Sequence, residues 1–545
     1  MSEELFNACE YLLDRRVAAG DGTRLALTGV AGDLSYQQLL DRVRRTATVL
    51  TELGLQPEQR VLMFMTDSPA FVAIYLAAMR IGAIPVPVST MLHADGLREL
   101  VVDSRTTLLA ISAEFAGLAS QAITTGQAGT TGQAGTTATE LRGVLVADGP
   151  VADGLPVPAY PLDELVERAV PAATSYPTTA DSPAFWLYTS GTTGRSKAAM
   201  HRHGAVRVVC ESYGAQVLGI RAEDRCLSAA KAFFAYGLGN SVLFPLSVGA
   251  CGILEPAPSR PAAIAERARS FGATLFFAGP TFFANMLRAE LPSDALAEVR
   301  LAASAGEALP APLQHRWSSH FGIDILDGIG MTEMLHIFLS NHPDRIRPGT
   351  TGSAVPGYQL RIVDEAGLDV APGTPGTLLV RGDSTATGYW SRYAASRQVF
   401  QGEWLRTGDT YVQDDQGNYA CLGRTGDMLK ASGIWVSPAE VEARLLAHLA
   451  VSEAVVVAAH DEDGLEKPVA FVLLGPAMAA TESELIEFCR DGLPSFTRPR
   501  RIVFVTGYPT TATGKVRRVE LRELAAGVLS PTADREPVRK RPARR

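Results

Sequence analysis

Short apolar runs separated by amphipathic stretches make up most of the chain. Residues 61–65 (VLMFM) are one such run, and Asp67-Ser68-Pro69 then supplies capping side chains and a proline suited to the first turn of a helix. The pattern predicts a strand followed by a helix. Similar runs recur at 108–111, 143–146, 274–279 and 301–303, which predicts parallel sheets flanked by helices. The longest apolar stretch, 71–88, is interrupted by Arg80, Gly82, Pro85 and Pro87, so it reads as a buried helix followed by a strand and not as a membrane span. Toward the C-terminus, residues 417–424 read as a strand. Segments 438–449, 453–459, 469–474, 482–490 and 501–505 then alternate helices with strands in a second, compact α/β unit of about a hundred residues. Two stretches have little to bury. Residues 124–137 contain TTGQAG twice and are expected to form a flexible surface insertion, and the proline-rich, basic 530–545 is expected to be disordered.

Composition narrows the class. A chain of 545 residues exceeds what one hydrophobic core serves, so at least two domains are expected, and 46% hydrophobic residues allow sizeable cores. A net charge of −8 argues against nucleic acid or an anionic membrane as the main partner, since both need a basic field. The six cysteines are scattered without a CxxC pair, so neither a disulfide framework nor a zinc site is indicated, and buried, reduced thiols in a cytoplasmic protein are expected. The N-terminus, MSEELFNACEYLLDRR, is acidic and amphipathic where a secretory signal would be basic and then apolar.

The candidate chemistry starts at residues 188–204, YTSGTTGRSKAAMHRHG. Glycines at 191 and 194 let the backbone turn its N–H groups toward an anion, and hydroxyls and the cations Arg195 and Lys197 add donors. It is not a Walker A loop: five positions beyond Gly191 stands Ser196, and Lys197 is followed by Ala198. Taken alone, such a loop is a surface turn as readily as a phosphate cradle. Four later motifs follow in order: SAGEALP (304–310), DGIGMTE (327–333), EWLRTGD (403–409) and TATGK (511–515). With them the chain resembles the adenylate-forming enzymes, the superfamily of acyl-CoA synthetases, peptide-synthetase adenylation domains and luciferases. FFAYGLGN (233–240), TEMLHIFLSN (332–341) and SGIWVSPAEVE (432–442) are similar to the benzoate-CoA ligase branch, and the resemblance runs from residue 6 to about 524.

The resemblance implies a large N-terminal α/β domain, residues 1–424, and a small mobile C-terminal α/β domain, 425–529. It implies ATP, Mg²⁺ and CoA as cofactors and co-substrates, and an aromatic carboxylic acid as substrate. By the same resemblance Thr189, Ser190, Gly191, Thr192, Thr193, Gly194 and Lys197 cradle the β- and γ-phosphates, Thr332 touches the α-phosphate and Glu333 holds Mg²⁺. A hard divalent cation prefers one or two carboxylates together with phosphate oxygens, which suits a lone Glu after a glycine-rich turn. Gly306, Glu307, Ala308, Asp327 and Gly328 would line the adenine, largely through backbone, with Asp409 on the ribose hydroxyls and Arg424 beside it. Lys515 matches the lysine that reaches the carboxylate and α-phosphate during adenylation. Lys430 and Gly433 would face the site for the CoA step, after the C-terminal domain has swung.

Ala235, Tyr236, Gly330, Met331, His336 and Ile337 match positions lining the acyl pocket, where aromatic and branched walls favour a short flat ring. His336 also fits a hydrogen-bonded core residue, and His201 and His203, with no carboxylate or cysteine partner nearby, are expected to be structural or to support the site indirectly. One departure stands out. The family usually carries Asp or Lys two positions beyond the arginine of GR as the pivot of the swing, and this chain has Gly426. Three readings stay open: an aryl-CoA synthetase; an aryl-adenylating enzyme that passes its acyl group to a carrier-protein thiol, an amine or another small nucleophile; and a silent nucleotide-binding regulator, against which the intact Thr332, Glu333, Asp409, Arg424 and Lys515 argue.

Overall fold

A computed structural model describes residues 4–124, 140–151, 154–190, 196–431, 434–461, 465–495, 497–510 and 516–528. Of the expected insertion at 124–137, Thr124 ends helix Ala116–Thr124 and the rest lies outside the described residues, as does the basic tail at 530–545.

The apolar run at 61–65 forms strand Arg60–Phe64, and the helix that follows, Pro69–Arg80, starts where the pattern places it. Ser68 caps it by accepting from the Phe71 N–H at 3.3 Å, and Pro69 fills the first turn, where a missing N–H costs nothing. The helix is apolar on nearly all sides because it is buried on all sides. Even its one cation, Arg80, is only 1% exposed, and it survives there by pairing with Asp14 at 2.8 Å.

Strand Arg60–Phe64 is flanked by parallel strands Ile84–Pro87 and Leu108–Ser112, and the sheet continues through Gly143–Ala147 to Ala159–Pro161. A second, nine-stranded sheet is parallel at its centre, where Cys251–Leu254, Arg225–Ser228, Leu275–Ala278, Leu301–Ser304 and Ile325–Gly330 lie side by side. Its edge turns antiparallel at Ile337–Ser340 and Ser353–Ala354. A separate hairpin pairs Pro183–Ser190 with Ser196–Arg202, and a five-stranded antiparallel sheet built on Gly376–Arg381 and Trp404–Gln413 ends with strand Tyr419–Arg424. The predicted α/β class, with parallel and mixed sheets flanked by helices, is what the chain forms.

After Arg424 the chain makes a turn and enters the hairpin Leu429–Ala431 and Ile434–Val436, which packs on strand Glu466–Leu474. The smaller unit has its own core around Leu429, Val441, Val456 and Leu485. Its strands Val451–His460 and Glu466–Leu474 are antiparallel, with Arg501–Phe504 parallel to the second. Helices Pro438–Leu446 and Glu482–Arg490 appear where the pattern predicts them, the latter closed by a capping box between Thr481 and Glu484. Helix Arg518–Val528 is an addition, since the sequence pattern predicts no element there.

No described helix is long and apolar enough to cross a membrane. All six cysteines are free, and five are buried as expected, but Cys421 is only half-buried because its strand, Tyr419–Arg424, lies at the edge of its sheet.

Helices Pro280–Arg288 and Ala311–Phe321 close over one face of the nine-stranded sheet, and Trp317 fills the space between them against Phe276, Phe283 and Phe321. Trp317 is fully buried. Trp317→Ala is expected to lower the urea midpoint of the first unfolding transition by the equivalent of about 3–5 kcal/mol, with far-UV circular dichroism and tryptophan emission recorded together.

Candidate active site

The hairpin from Pro183–Ser190 to Ser196–Arg202 carries the glycine-rich segment at its tip. Residues 191–195 lie outside the described residues, so nothing structural is said of Gly191, Thr192, Thr193 and Gly194, nor of the Ser190 side chain. The register pairs Thr189 with Lys197, which sets the two residues opposite each other at the loop's root. Tyr188 braces the hairpin by donating its hydroxyl to Asp103 at 2.7 Å. The Lys197 ammonium lies 5.4 Å from the centre of the Tyr389 ring, and the hydroxyl of the same Tyr389 donates to the Glu333 carboxylate. Tyr389 is placed by a bridge to Ala199 of the hairpin, and the Glu333 carbonyl accepts from the Ala386 N–H at 2.8 Å. Loop root, cation and acid are therefore gathered around one tyrosine that sequence analysis missed; no local motif marks it, and only the pairing with Ala199 brings it in.

Thr332 and Glu333 lie in a single 3₁₀ turn, Thr332–Met334, directly after strand Ile325–Gly330. Met331 precedes that turn and is half-buried. His201 Nε2 lies 2.8 Å from the Thr332 carbonyl, so that nitrogen carries the proton. Burial pushes the pKa of His201 down to about 4, and it is neutral at ordinary pH. His203 is equally buried and accepts from the Ala8 N–H at 3.0 Å. Both histidines are structural supports, as expected.

On the other side of the turn, strands Leu301–Ser304 and Ile325–Gly330 run parallel with Ser304 beside Asp327. Here the structure departs from the expectation that Asp327 offers backbone. Its carbonyl is already taken by the Asn341 N–H at 2.9 Å and the Ser340 hydroxyl at 3.3 Å. What it leaves unpartnered is a buried carboxylate oxygen, alongside an equally unpartnered Ser304 hydroxyl. Burial outweighs the hydrogen bonds from Thr351 and the Gly328 N–H and raises the Asp327 pKa to about 8, so the group is largely protonated at neutral pH and can donate as well as accept. Gly328 lies under Ile337, whose side chain an added methyl would meet at 3.0 Å. Gly306 has φ of +96° with nothing within 4 Å of where a Cβ would stand, and Glu307 and Ala308 beside it are exposed. The Glu307 carboxylate accepts from Thr281 at 2.7 Å.

Asp409 and Arg424 face each other across paired strands, with Arg424 Nε 3.1 Å from the Asp409 carboxylate. Arg424 also donates to the Thr407 carbonyl at 3.1 Å, which fixes its fork.

Beyond Thr332 the chain doubles back. Leu335 has φ 65° and ψ −46°, and the His336 N–H reaches the Met334 carbonyl at 2.8 Å, a tight γ-turn in a backbone region that a leucine adopts only under strain. The turn delivers His336 into an aromatic cage. Its ring centre is 4.5 Å from Phe244, edge-on, and 5.5 Å from both Tyr213 and Tyr236. His336 Nε2 points at the Tyr236 carbonyl at 3.3 Å, Nδ1 is buried without a partner, and burial pushes the pKa down to about 3. Tyr236, half-buried, anchors its own hydroxyl on the Ala303 carbonyl at 2.8 Å, with Ala235 beside it at the start of helix Ala235–Leu238. A π-helical stretch, Gly239–Leu243, continues that helix. An added methyl at Gly239 would come within 2.3 Å of the His336 ring, and one at Gly330 within 2.7 Å of the His336 carbonyl. Phe244, Tyr213 and Gly239 are further residues that sequence analysis passed over; the GLGN stretch holds the signal for Gly239 but not for the contact it permits.

The structure brings together Thr189, Lys197, Thr332, Glu333, Gly330, Met331, Ala235, Tyr236, His336 and Ile337, with Ser304 and Asp327 one strand away. Lys430 belongs to the hairpin of the smaller unit, while Gly433 and Lys515 lie outside the described residues. Among the described residues no group of three or more His, Cys, Asp or Glu forms a metal cage. A lone, buried Glu333 at the root of a glycine-rich loop fits Mg²⁺, which takes most of its ligands from phosphate and water. The unpartnered polar atoms of Ser304 and Asp327, on adjacent strands, fit the polar face of a nucleoside.

Comparison with known proteins agrees with this geometry. Residues 14–390 match the family described as AMP-binding enzyme, and residues 440–515 match the AMP-binding enzyme C-terminal domain. The benzoate–CoA ligase of Thauera aromatica is 41% identical over 525 residues, covering 95% of this chain and 96% of that protein. A 4-hydroxybenzoate–CoA/benzoate–CoA ligase of Rhodopseudomonas palustris is 39% identical over 540 residues, covering 97% and 96%. The crystal structure of the anthranilate CoA ligase AuaEII in complex with anthranoyl-AMP superimposes with a TM-score of 0.89 at 34% identity, covering 96% of this chain and 98% of that one. With motifs, fold and near full-length identity in agreement, the chain belongs to the AMP-binding, adenylate-forming enzymes, in the benzoate–CoA ligase family.

Proposed function

We propose that this protein activates a benzoate-type aromatic acid with ATP to the aryl-adenylate and transfers the aryl group to CoA. In the first step a carboxylate oxygen attacks the α-phosphorus and the bond to the bridging oxygen of pyrophosphate breaks. In the second the CoA sulfur attacks the acyl carbon and AMP leaves. Neither step needs a protein nucleophile; both need charge and position.

The observation that carries this reading is the aromatic cluster in which His336 packs against Tyr213, Tyr236 and Phe244, tied by one γ-turn to the turn that holds Thr332 and Glu333. An aromatic acid bound against this cluster lies next to the turn assigned to the α-phosphate and Mg²⁺. His201 and His336 are uncharged, so the negative carboxylate is met by another cation, which is the part assigned to Lys515. The names of the relatives point the same way: benzoate, 4-hydroxybenzoate and anthranilate are all single rings bearing a carboxylate.

Thr189, Lys197 and the glycine-rich segment take the β- and γ-phosphates, Thr332 the α-phosphate, and Asp409 with Arg424 the ribose. Glu333, oriented by Tyr389, holds Mg²⁺, which supplies charge neutralisation on the phosphates when bound. Ser304 and protonated Asp327 face the base. Lys430 and Gly433 serve the CoA step once the smaller unit has turned about Gly426. That glycine has no positive φ and nothing within 4 Å of where a Cβ would stand.

The reading is tested by pyrophosphate release with a panel of acids, with and without CoA. Benzoate-sized acids should exceed acetate and decanoate in kcat/KM by at least about 10²-fold, as expected where ring burial supplies several kcal/mol. Ala235→Leu should depress ring substrates. A higher kcat/KM for decanoate overturns the substrate class.

Lys515→Ala should lower adenylation by about 10²–10³-fold while leaving thioester formation from supplied aryl-AMP within about twofold of wild type, because one pre-organised cation is lost from the first step alone. Equal losses in both half-reactions would give Lys515 another role.

At the hinge, Gly426→Asp should be tolerated in both half-reactions, since the space and backbone there admit a side chain. Gly426→Pro, which fixes φ near roughly −65°, should impair one half-reaction far more than the other at an unchanged melting temperature.

A further inference from the structure

The root of the loop that carries Lys515 is held by contacts outside the site. Arg517 N–H closes on the Pro509 carbonyl at 2.8 Å and Thr510 pairs with Val516, so the residues flanking 511–515 are drawn together. Immediately before them, Tyr508 donates its hydroxyl to the Phe471 carbonyl at 3.0 Å. Immediately after them, Arg518 donates to the Val456 carbonyl at 2.7 Å and to the Glu442 carboxylate at 2.8 Å.

Strand Val451–His460, whose Val456 carbonyl holds Arg518, meets the large unit through an ion pair. Arg288, the last residue of helix Pro280–Arg288, donates to the Glu453 carboxylate on strand Val451–His460. Arg288 is pre-set for it by a second bond, Nη1 to Asn285 Oδ1 at 2.7 Å, and both partners are only about a quarter exposed, at 27% and 25%. Tyr508 lies beside the pair: burial first, then Glu453 and Glu442, push its hydroxyl pKa up, while Arg288 pulls the other way. On the far side of the loop, burial opposes the Arg518 charge, but Glu442, Asp427 and Glu307 outweigh it. Glu307 belongs to the segment assigned to the adenine face, so a charge of the large unit reaches Arg518, on the C-terminal flank of the Lys515 loop. Helix Ala311–Phe321, which follows Glu307, packs on helix Pro438–Leu446 of the smaller unit. Arg316 on that helix lies close enough to Arg288 for its pKa to be lowered, by burial and then by the Arg288 charge.

We propose that the Arg288–Glu453 ion pair is a positioning element for adenylation: it docks the smaller unit so that the loop bearing Lys515 is presented to the carboxylate and α-phosphate. The proposal rests on the role assigned to Lys515 above. Neither residue touches substrate, and both act through the loop root at Tyr508.

The test is a charge exchange in the full-length enzyme. Arg288→Glu and Glu453→Arg are made singly and together, with Lys515→Ala alongside. ATP-dependent pyrophosphate release without CoA, and thioester formation from supplied benzoyl-AMP, are measured for each, with melting temperatures to confirm folding. Each single reversal should lower the adenylation kcat by about tenfold or more, as expected when a partly desolvated pair becomes a repulsion. Thioester formation should stay within about twofold, and the double exchange should recover adenylation to within about threefold of wild type, the coupling expected of residues in direct contact. If a single reversal fails to unfold cleanly, Glu453→Gln replaces it and should show the same one-sided loss at reduced size. Single variants that adenylate normally, lose both half-reactions alike, or are not rescued by the exchange overturn the proposal. If Lys515→Ala itself adenylates like wild type, the assignment of Lys515 fails instead, so the two failures are separable.

Discussion

The reversal between Gly330 and His336 is the constraint on which the site depends. Strand Ile325–Gly330 must end where a backbone can return against it, and at Gly330 the returning His336 carbonyl is so close that a Cβ would stand 2.7 Å from it. In the intervening residues the chain makes a 3₁₀ turn holding Thr332 and Glu333 and then a strained γ-turn at Leu335. Leu335 is fully buried, so the surrounding core supplies the free energy that keeps a leucine at positive φ. One short detour thereby places the Glu333 carboxylate against Tyr389 and the His336 ring among Tyr213, Tyr236 and Phe244.

Charge is distributed around this reversal with economy. His201, His203 and His336 are all pushed down by burial and stay neutral, and Asp327 is pushed up to about 8. These four groups therefore add little fixed charge, and the formal charges lie elsewhere: Lys197 against Tyr389, Glu333 against the same tyrosine, and Asp409 against Arg424. Such a layout suits a reaction in which a carboxylate and a polyphosphate must approach one another, because cations act there in a partly desolvated setting where they count for more than in water.

The passage from the large unit to the smaller one is bonded on both sides. The Asp427 and Met428 N–H groups reach back to the Arg424 carbonyl at 2.8 and 3.1 Å. On the other side Arg518 and Arg522 both pair with Asp427, and Arg522 also takes the Gly426 carbonyl at 3.0 Å, which joins these two residues to helix Arg518–Val528.

Much of this was legible in the sequence, for reasons that are local. A strand followed by Asp-Ser-Pro is a capped helix wherever it occurs, and Pro69–Arg80 begins there because Ser68 and Pro69 act through their nearest neighbours. Short apolar runs mark parallel strands because both faces of those strands are covered. Thr189, Lys197, Asp409 and Arg424 were singled out from their motifs, and the structure sets them side by side in pairs, Thr189 with Lys197 and Asp409 with Arg424, because each pair sits on adjoining strands. Only the tertiary structure decided what depends on residues far apart in the chain. Tyr389 reaches Glu333 by pairing with Ala199, and the Asp327 carbonyl is spent on Asn341 and Ser340, leaving a buried carboxyl oxygen as its unpartnered group. His336 is neutral because Tyr213, Tyr236 and Phe244 enclose it, and Arg288 meets Glu453 only because two separately folded units touch. Burial and long-range contact set those outcomes, and neither is a property of any short stretch of sequence.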